Sequence, residues 1–165
     1  DLLGEQILDY LRMQVAAGVD AIQLFDTWGG ILHPADYERH VLPVVRRILD
    51  GLKDTGVPRI YFLKGSAPYN HLIADLDVEC FGVDWTQDLT RAIAQLPGRA
   101  VQGNLDPLAL FGSSEQISRR ALEICKQGVQ APGHVFNLGH GILPQAPIPA
   151  VETLVRTVQE FRRGH

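Results

Sequence analysis

The stretch AIQLFDTWGG at residues 21–30 decides the fold, because it joins a short apolar run to a polar turn that is rich in glycine. Similar apolar runs recur along the chain, and each ends in Gly, Asp or Asn, where a turn is needed. We therefore predict five strands, at 21–25, 59–63, 78–83, 100–103 and 135–138. Helical patterns lie before and between them, at 2–17, 35–53, 67–75, 86–96, 114–127 and 149–163. This alternation indicates βαβ units, hence an α/β fold with parallel strands buried on both faces.

Prolines and missing motifs refine this interpretation. Pro34 and Pro107 stand where a first-turn proline needs no N–H, whereas Pro43 falls inside the 35–53 pattern and predicts a kink or break. Neither G-x-G-x-x-G nor G-x-x-x-x-G-K-[ST] occurs, which argues against a nucleotide-binding open sheet. Five βα units would be an incomplete (β/α)8 TIM barrel. Pattern alone leaves that barrel and an open doubly wound sheet as alternatives, and predicts one continuous domain over residues 1–165.

Composition and charge limit the classes of partner that the protein is expected to bind. A net charge of −4 and a pI near 5.8 give no basic excess for a nucleic acid or an anionic membrane surface. Only Cys80 and Cys125 are present, so we expect no disulfide framework and a cytoplasmic setting. No apolar run is long enough to span a bilayer. The chain opens at Asp1, without Met and already inside an amphipathic pattern, so we expect a fragment of a longer protein.

The segments that follow the strands carry the candidate site residues, because loops at the carboxyl ends of parallel strands build the active sites of such folds. Asp26 and Thr27 either bind a ligand or cap the helix that begins near Pro34. Lys64 either binds an acidic group or extends its ammonium to solvent. His140, between two glycines, either donates a proton or binds a carboxylate, or is a surface histidine in a turn.

Three further polar residues in these loops favour structural roles. Asp84 is placed to cap the 86–96 helix, although with Trp85 it could also line a pocket. Asp106 precedes Pro107 and is expected to cap a helix, while Asn104 stays ambiguous.

The sequence contains no candidate residues for a metal site or for nucleophilic catalysis. The other histidines have no ligand spacing such as H-E-x-x-H; they are His33, His40, His71, His134 and His165. No serine lies in a G-x-S-x-G elbow. We therefore expect no metal and no covalent intermediate.

Four of these segments resemble the uroporphyrinogen decarboxylase family, in the family's order: QLFDTWGG at 23–30, GVDW at 82–85, VQGNLDP at 101–107 and FNLGHGI at 136–142. The resemblance covers essentially the whole chain. It implies the C-terminal part of a (β/α)8 TIM barrel, about strands 4–8. It also implies a cofactor-free decarboxylation of the four acetate side chains of uroporphyrinogen III, giving coproporphyrinogen III in tetrapyrrole biosynthesis, and a homodimer when full length.

The resemblance assigns roles to two residues of this chain. Thr27 matches the family's Ser/Thr that hydrogen-bonds a substrate carboxylate, and His140 matches the histidine that contacts the substrate. The family's principal aspartate, its arginine-bearing segment and its cleft tyrosine are expected upstream of Asp1. The chain alone is therefore expected to be inactive.

Two alternatives remain in view. The zinc-dependent methyltransferases that act on corrinoid proteins and coenzyme M share the superfamily, but they place a His-x-Cys pair after the strand that corresponds to 59–63. This chain reads LKGS at 63–66, without those ligands. The other alternative is an inactive half-barrel fragment, whose unpaired strand edges would favour association.

Overall fold

The computed structural model describes residues 2–161. Its helices are α1 (Leu2–Ala16), α2 (Pro34–Asp36), α3 (Leu42–Asp50), α4 (Asn70–Ile73), α5 (Leu89–Gln95), α6 (Ser114–Gly128) and α7 (Ile148–Glu160). Its strands are β1 (Ile22–Asp26), β2 (Arg59–Leu63), β3 (Cys80–Gly82), β4 (Ala100–Gln102) and β5 (His134–Val135). Helices and strands thus alternate, which confirms the α/β class.

The strands follow one another in the sheet in the order of the sequence, β1-β2-β3-β4-β5. β1 and β2 are parallel, with Leu24 opposite Tyr61 and Asp26 opposite Leu63. β4 and β5 are also parallel, and Val101 lies opposite His134. In parallel pairs such as these, the loops that follow the strands lie at the carboxyl ends of the strands, where the polar candidate residues were expected.

The described residues divide into two compact units, 2–81 and 82–161, and β3 spans the boundary. One apolar cluster of the first unit is formed where α1 and α3 pack with β1, around Leu11, Ile22, Ile48 and Leu52. Two apolar clusters lie in the part of the second unit that the structure describes. One contains Val83, Leu89, Ala92, Val101 and Ala131. The other joins α6 and α7 around Leu110, Ile117, Ala121, Ala150 and Leu154.

The predicted helix at 35–53 is interrupted, as the proline indicated. A π-helical turn occupies Tyr37–Val41, and α3 then begins at Leu42 with Pro43 in its first turn. A proline in the first turn needs no N–H partner inside the helix. Pro34 and Pro107 also stand at first-turn positions, of α2 and of the 3-10 helix Pro107–Phe111, as predicted.

Several boundaries differ from the sequence prediction. The predicted strand at 135–138 is reduced to His134–Val135, with one isolated bridge from Leu138 to Leu105. The helix predicted at 86–96 begins only at Leu89, because Asp88 caps it by accepting the N–H of Arg91. The expectation that Asp84 caps this helix is therefore wrong. The helix predicted at 149–163 ends at Glu160; positions 162 and 163, and His165, lie outside the described residues.

Within residues 2–161, no helix combines the length and apolar character that crossing a membrane requires.

Candidate functional site

The loop after β1 is organised around the carboxylate of Asp26. Its Oδ1 accepts the backbone N–H of Gly29 at 2.7 Å, and its Oδ2 accepts the hydroxyl of Tyr61 at 3.1 Å. The backbone carbonyl of Asp26 accepts the N–H of Lys64 at 3.1 Å, which continues the β1–β2 ladder. Asp26 is thus tied to its own loop and to the neighbouring strand.

Two buried tyrosines support this carboxylate. The hydroxyl oxygens of Tyr37 and Tyr61 are 2.5 Å apart. Because Tyr61 donates its proton to Asp26, its oxygen accepts from Tyr37. Burial raises the pKa of both phenols well above the ordinary value, so both stay protonated and able to donate. The result is a chain of hydrogen bonds that runs from Tyr37 through Tyr61 to Asp26.

Close approach of neighbouring groups requires glycine at positions 29 and 30 of the loop. A Cβ on Gly30 would overlap the carbonyl oxygen of Lys64, and one on Gly29 would overlap the carboxylate of Asp26. The hydroxyl of Tyr69 donates to the carbonyl of Gly30 at 3.1 Å and also to that of Leu32. The loop therefore requires glycine at both positions. Tyr69 is the third tyrosine that stabilises it.

Thr27 is half-buried and directly follows Asp26 in this loop. Its backbone lies inside the turn that the bond between the Asp26 carboxylate and the N–H of Gly29 closes, so its position is set by groups that are themselves hydrogen-bonded. The alternative that Asp26 and Thr27 cap the helix near Pro34 loses support, because His33 caps α2 by accepting the N–H of Ala35. Asp26 instead closes its own turn.

In the second unit, the loop after β3 is held by an amide. Asp84 is fully buried, and its Oδ1 accepts the N–H of Thr86 at 2.6 Å, a local turn. Asn104, which follows β4, donates both Nδ2 hydrogens across to this loop, to the carbonyls of Asp84 at 2.9 Å and Gln87 at 2.8 Å. Asn104 was ambiguous in the sequence, and the structure gives it a role in positioning the loop.

His140 lies on the loop after β5 and is half-buried. Its ring stacks on that of Trp85, with centroids 6.0 Å apart and an interplanar angle of 25°. Gly139 permits this approach, because a Cβ there would overlap the backbone nitrogen of Trp85. The backbone N–H of Gly139 donates to the carbonyl of Leu105 at 2.7 Å, and the N–H of Leu105 donates to the carbonyl of Asn137 at 3.1 Å, which fixes the start of the loop. The imidazole is therefore oriented by an aromatic face on one side.

The remaining sequence candidates fall into structural roles or stay open. Asp106 accepts the N–H of Leu108 at 2.9 Å and caps the helix that starts at Pro107, as expected. His134 contacts the carbonyl of Gly103 through Nε2 at 2.7 Å. Lys64 is half-buried at the end of β2. Across residues 2–161, no group of three or more His, Cys, Asp or Glu is placed to hold a metal ion.

The sequence analysis missed the three tyrosines, Tyr37, Tyr61 and Tyr69. A signal was available for Tyr61, which lies in the middle of an apolar strand, where a buried phenol needs a partner for its hydroxyl. Nothing in the local sequence links Tyr37 or Tyr69 to that partner, because the contacts span 24 residues from Tyr37 to Tyr61 and 39 from Gly30 to Tyr69.

Fold and loops together define a parallel α/β protein whose candidate site residues follow its strands: Thr27 in the first unit, His140 in the second. The family model described as "Uroporphyrinogen decarboxylase (URO-D)" matches residues 1–161. The chain belongs to this family.

Relatives named uroporphyrinogen decarboxylase agree with this assignment. The protein from Syntrophotalea carbinolica is 48% identical, over 99% of this chain and 48% of its own length. The protein from Nocardioides sp. is 45% identical, over 93% of this chain and 45% of its own length. The chain thus spans about half the length of the curated relatives it matches.

A solved structure confirms the fold. A methyltransferase from Methanosarcina mazei matches with a TM-score of 0.83 at 20% identity, covering 95% of this chain and 47% of that chain. At this identity, the match shows a shared fold and carries nothing about activity.

Proposed function

We propose that the protein carrying this chain is a uroporphyrinogen decarboxylase, a carboxy-lyase that converts uroporphyrinogen III to coproporphyrinogen III without a cofactor. The observation that carries the proposal is the family match over residues 1–161, with relatives of that name at up to 48% identity. The full-length protein would act as a homodimer in the cytoplasm.

We assign this chain to about strands 4–8 of a (β/α)8 barrel. Five sequential strands and a fold match that covers about half of a longer chain support this assignment. The family's arginine-bearing segment, central aspartate and cleft tyrosine would belong to the other part. With a net charge of −4, this part does not supply the positive charge that a polycarboxylate substrate needs, so the chain alone would be inactive.

The chemistry explains why no cofactor is needed. Protonation of a pyrrole at carbon makes a cationic, imine-like ring. The bond between the acetate CH2 and its carboxylate then breaks, CO2 leaves, and the bonding electron pair neutralises the ring. A proton added to the resulting exocyclic methylene gives the methyl group, and loss of the ring proton restores the pyrrole. The protein must place a proton donor, stabilise the developing cation and bind the carboxylates.

Thr27 would bind one of these carboxylates through its hydroxyl. A hydrogen bond to a charged acceptor is stronger than a neutral one, provided that the donor is already in place. The bonds that hold Asp26 and the close approach at Gly30 support such a placement.

His140 would contact the substrate through its imidazole. Its half-buried position and its stack on Trp85 leave the ring oriented before substrate arrives. An imidazole can serve either as a proton donor or as a binder of a carboxylate.

The test is an anaerobic assay of the protein with its N-terminal part restored, following the loss of carboxyl groups by chromatography of the oxidised porphyrins. Thr27→Ala and His140→Ala should each lower kcat/KM about tenfold or more, since each removes a hydrogen bond to a charged group. Thr153→Ala and His71→Ala are matched controls. Thr153 bonds only within α7 to the carbonyl of Pro149, and His71 is exposed on α4. If all four variants behave alike, these two assignments are wrong.

A further inference from the structure

Lys64 directly follows β2 and carries the one positive charge of the segments that follow the strands. These segments are 26–30, 64–66, 84–86, 104–107 and 139–141, all within the described residues, and Lys64 is the one lysine or arginine among them. Loops at the carboxyl ends of parallel strands build the sites of such folds. An ammonium in this place is therefore a candidate to bind an anionic substrate group, provided that its side chain faces the site.

β1 and β2 present one face to the helices. Ile22 of β1 packs with Ile48 and Leu52, in the cluster where α1 and α3 meet the strand. Asp26 shares the alternation of Ile22 along β1, and it accepts the hydroxyl of Tyr61, which places Tyr61 on the same face. The helix-facing positions are thus 22, 24 and 26 in β1 and 59, 61 and 63 in β2. Side chains at the intervening positions face the other way.

The rings of Phe25 and Phe62 identify this second face. The two residues are partners in the register of the strands, and their ring centroids are 5.7 Å apart. Phe25 is 63% exposed, so the described residues do not cover this face at β1. In the proposed barrel, it would be the interior face, because the helices of such a barrel form its outer layer.

Thr27 and Lys64 come next on this second face. The ladder continues one step beyond the strands, since the N–H of Lys64 donates to the carbonyl of Asp26 at 3.1 Å. Thr27 is therefore opposite Lys64, two residues after Phe25 and Phe62, and alternation gives both side chains the face of those rings. Neighbouring strands are about 4.8 Å apart, so one carboxylate can accept hydrogen bonds from both side chains.

We propose that Lys64 is a substrate-binding residue whose ammonium binds the same carboxylate of uroporphyrinogen as the hydroxyl of Thr27. The substrate in this inference rests on the proposed function. One ammonium does not neutralise a polycarboxylate, so the chain alone is still expected to be inactive.

The chemistry of decarboxylation indicates which kind of carboxylate this is. The reacting carboxylate loses its negative charge as it becomes CO2. A cation beside it would stabilise the ground state more than the transition state and would slow the reaction. Lys64 therefore binds a carboxylate that is retained in that turnover, and such binding stabilises both states alike. Removal of the ammonium should accordingly raise KM and leave kcat nearly unchanged.

The test uses the full-length protein, with two readouts. One is the anaerobic assay, and the other is binding of oxidised uroporphyrin III, which keeps the carboxylates but does not react, followed by quenching of tryptophan fluorescence. Lys64→Met removes the ammonium and should raise both KM and the Kd of uroporphyrin about tenfold, with kcat within about threefold of the parent protein. Lys64→Arg keeps the charge and should stay within about threefold in all three quantities. Lys126→Met, exposed on α6, is the control and should change none of them.

Two results would overturn the proposal. One is a Lys64→Met variant with the KM and Kd of the parent protein, and the other is a variant whose kcat falls while KM stays the same. Thermal unfolding verifies that the variant is folded; if Lys64→Met is not, Lys64→Gln replaces it with the same expected values.

A double-mutant cycle tests whether the two residues share one carboxylate. On a Thr27→Val background, Lys64→Met should weaken uroporphyrin binding about threefold or less, because two donors to one acceptor are coupled. A tenfold loss on both backgrounds would overturn the shared carboxylate.

The binding readout also separates this inference from the proposed function. A parent protein that binds uroporphyrin through Lys64 but releases no CO2 from uroporphyrinogen would refute the decarboxylase activity and leave the Lys64 site standing. An active parent protein with a Lys64→Met variant that matches it would refute the Lys64 site alone.

Discussion

The loop after β1 and the loop after β3 present polar residues in similar places, but they are held by different chemistry. The first is held by a carboxylate and phenols, in the chain from Tyr37 through Tyr61 to Asp26. The second is held by the neutral amide of Asn104, which donates to two backbone carbonyls, and by a local turn in which Asp84 accepts the N–H of Thr86. The side chain that reaches the first loop from another strand is thus a phenol, whereas the one that reaches the second loop is a neutral amide.

This difference indicates which substitutions should destabilise each loop. In the first unit, the loop depends on long-range side chains that arrive from other elements. In the second unit, it depends on the Asn104 amide, which donates to two backbone carbonyls. Close backbone approach at glycines occurs in both loops. Substitutions should therefore reveal a dependence on the tyrosine hydroxyls in the first unit and on the Asn104 amide in the second. Glycine substitutions should be costly wherever a Cβ would overlap another group.

The largest effect is expected at Gly103, between β4 and its loop. Its φ is +136°, and a Cβ there would overlap the carbonyl oxygen of Val83. Gly103→Ala should lower the free energy of unfolding by about 3 kcal/mol or more, because backbone strain and steric overlap add. Denaturant unfolding measures the change.

Gly141→Ala is the control for this substitution. A Cβ at Gly141 has nothing within 4 Å, so the change should stay within about 0.5 kcal/mol. Equal costs at the two positions would refute the idea that close backbone approach fixes the loop after β4.

A pair of near-isosteric changes compares the two anchors directly. Asn104→Leu leaves the carbonyls of Asp84 and Gln87 without this donor and should cost about 2–3 kcal/mol. Tyr61→Phe removes one hydroxyl between Tyr37 and Asp26 and should cost about 1–2 kcal/mol.

Hydrogen exchange distinguishes local from global effects in this pair. Tyr61→Phe should speed exchange at the amide of Gly29, which Asp26 holds, and leave the amide of Thr86 unchanged. If Tyr61→Phe leaves Gly29 as protected as before, the tyrosines do not hold this loop.

The smallest effect concerns pH in the first unit. Glu79 accepts three hydrogen bonds from Arg59, from its backbone N–H at 2.7 Å and from its guanidinium at 3.2 and 2.9 Å. Partial burial by itself raises the pKa of the Glu79 carboxyl, but these bonds outweigh it and the net pKa is lowered. A lowered folded-state pKa gives stability that is present above the unfolded pKa and lost as the pH falls through the folded pKa.

Glu79→Gln should therefore lower the free energy of unfolding by about 1 kcal/mol at neutral pH, since the side chain is half exposed and screened. The difference from the parent protein should shrink below about pH 4. Glu38→Gln, exposed in the same unit, should change stability little at any pH. A Glu79→Gln deficit that persists unchanged in acid would contradict the role of this ion pair.

Local chemistry made much of this fold predictable. The strand at 59–63 was predicted with its observed bounds, and the break before Pro43 followed from the missing N–H of proline. Asp106 was recognised as a cap because Pro107 follows it. These features depend on neighbours within a few residues, which the sequence displays directly.

Other features depended on contacts that a single sequence does not display. Asp84 and Asp88 are both plausible caps by residue type, and only the path of the loop decides for Asp88. Likewise, the residues near them in sequence do not indicate that Tyr37 contacts Tyr61, or that the Asn104 amide donates to the carbonyl of Gln87. The roles of Thr27 and His140 in substrate binding came from family resemblance and stay predictions.

The most direct measurement compares the chain alone with the chain carrying its restored N-terminal part, each incubated anaerobically with uroporphyrinogen III. The restored protein should lose all four acetate carboxyl groups and yield coproporphyrinogen III, whereas the chain alone should release no CO2. A restored protein that is folded but inactive would contradict the decarboxylase assignment, and activity in the chain alone would contradict the claim that it is only part of the site.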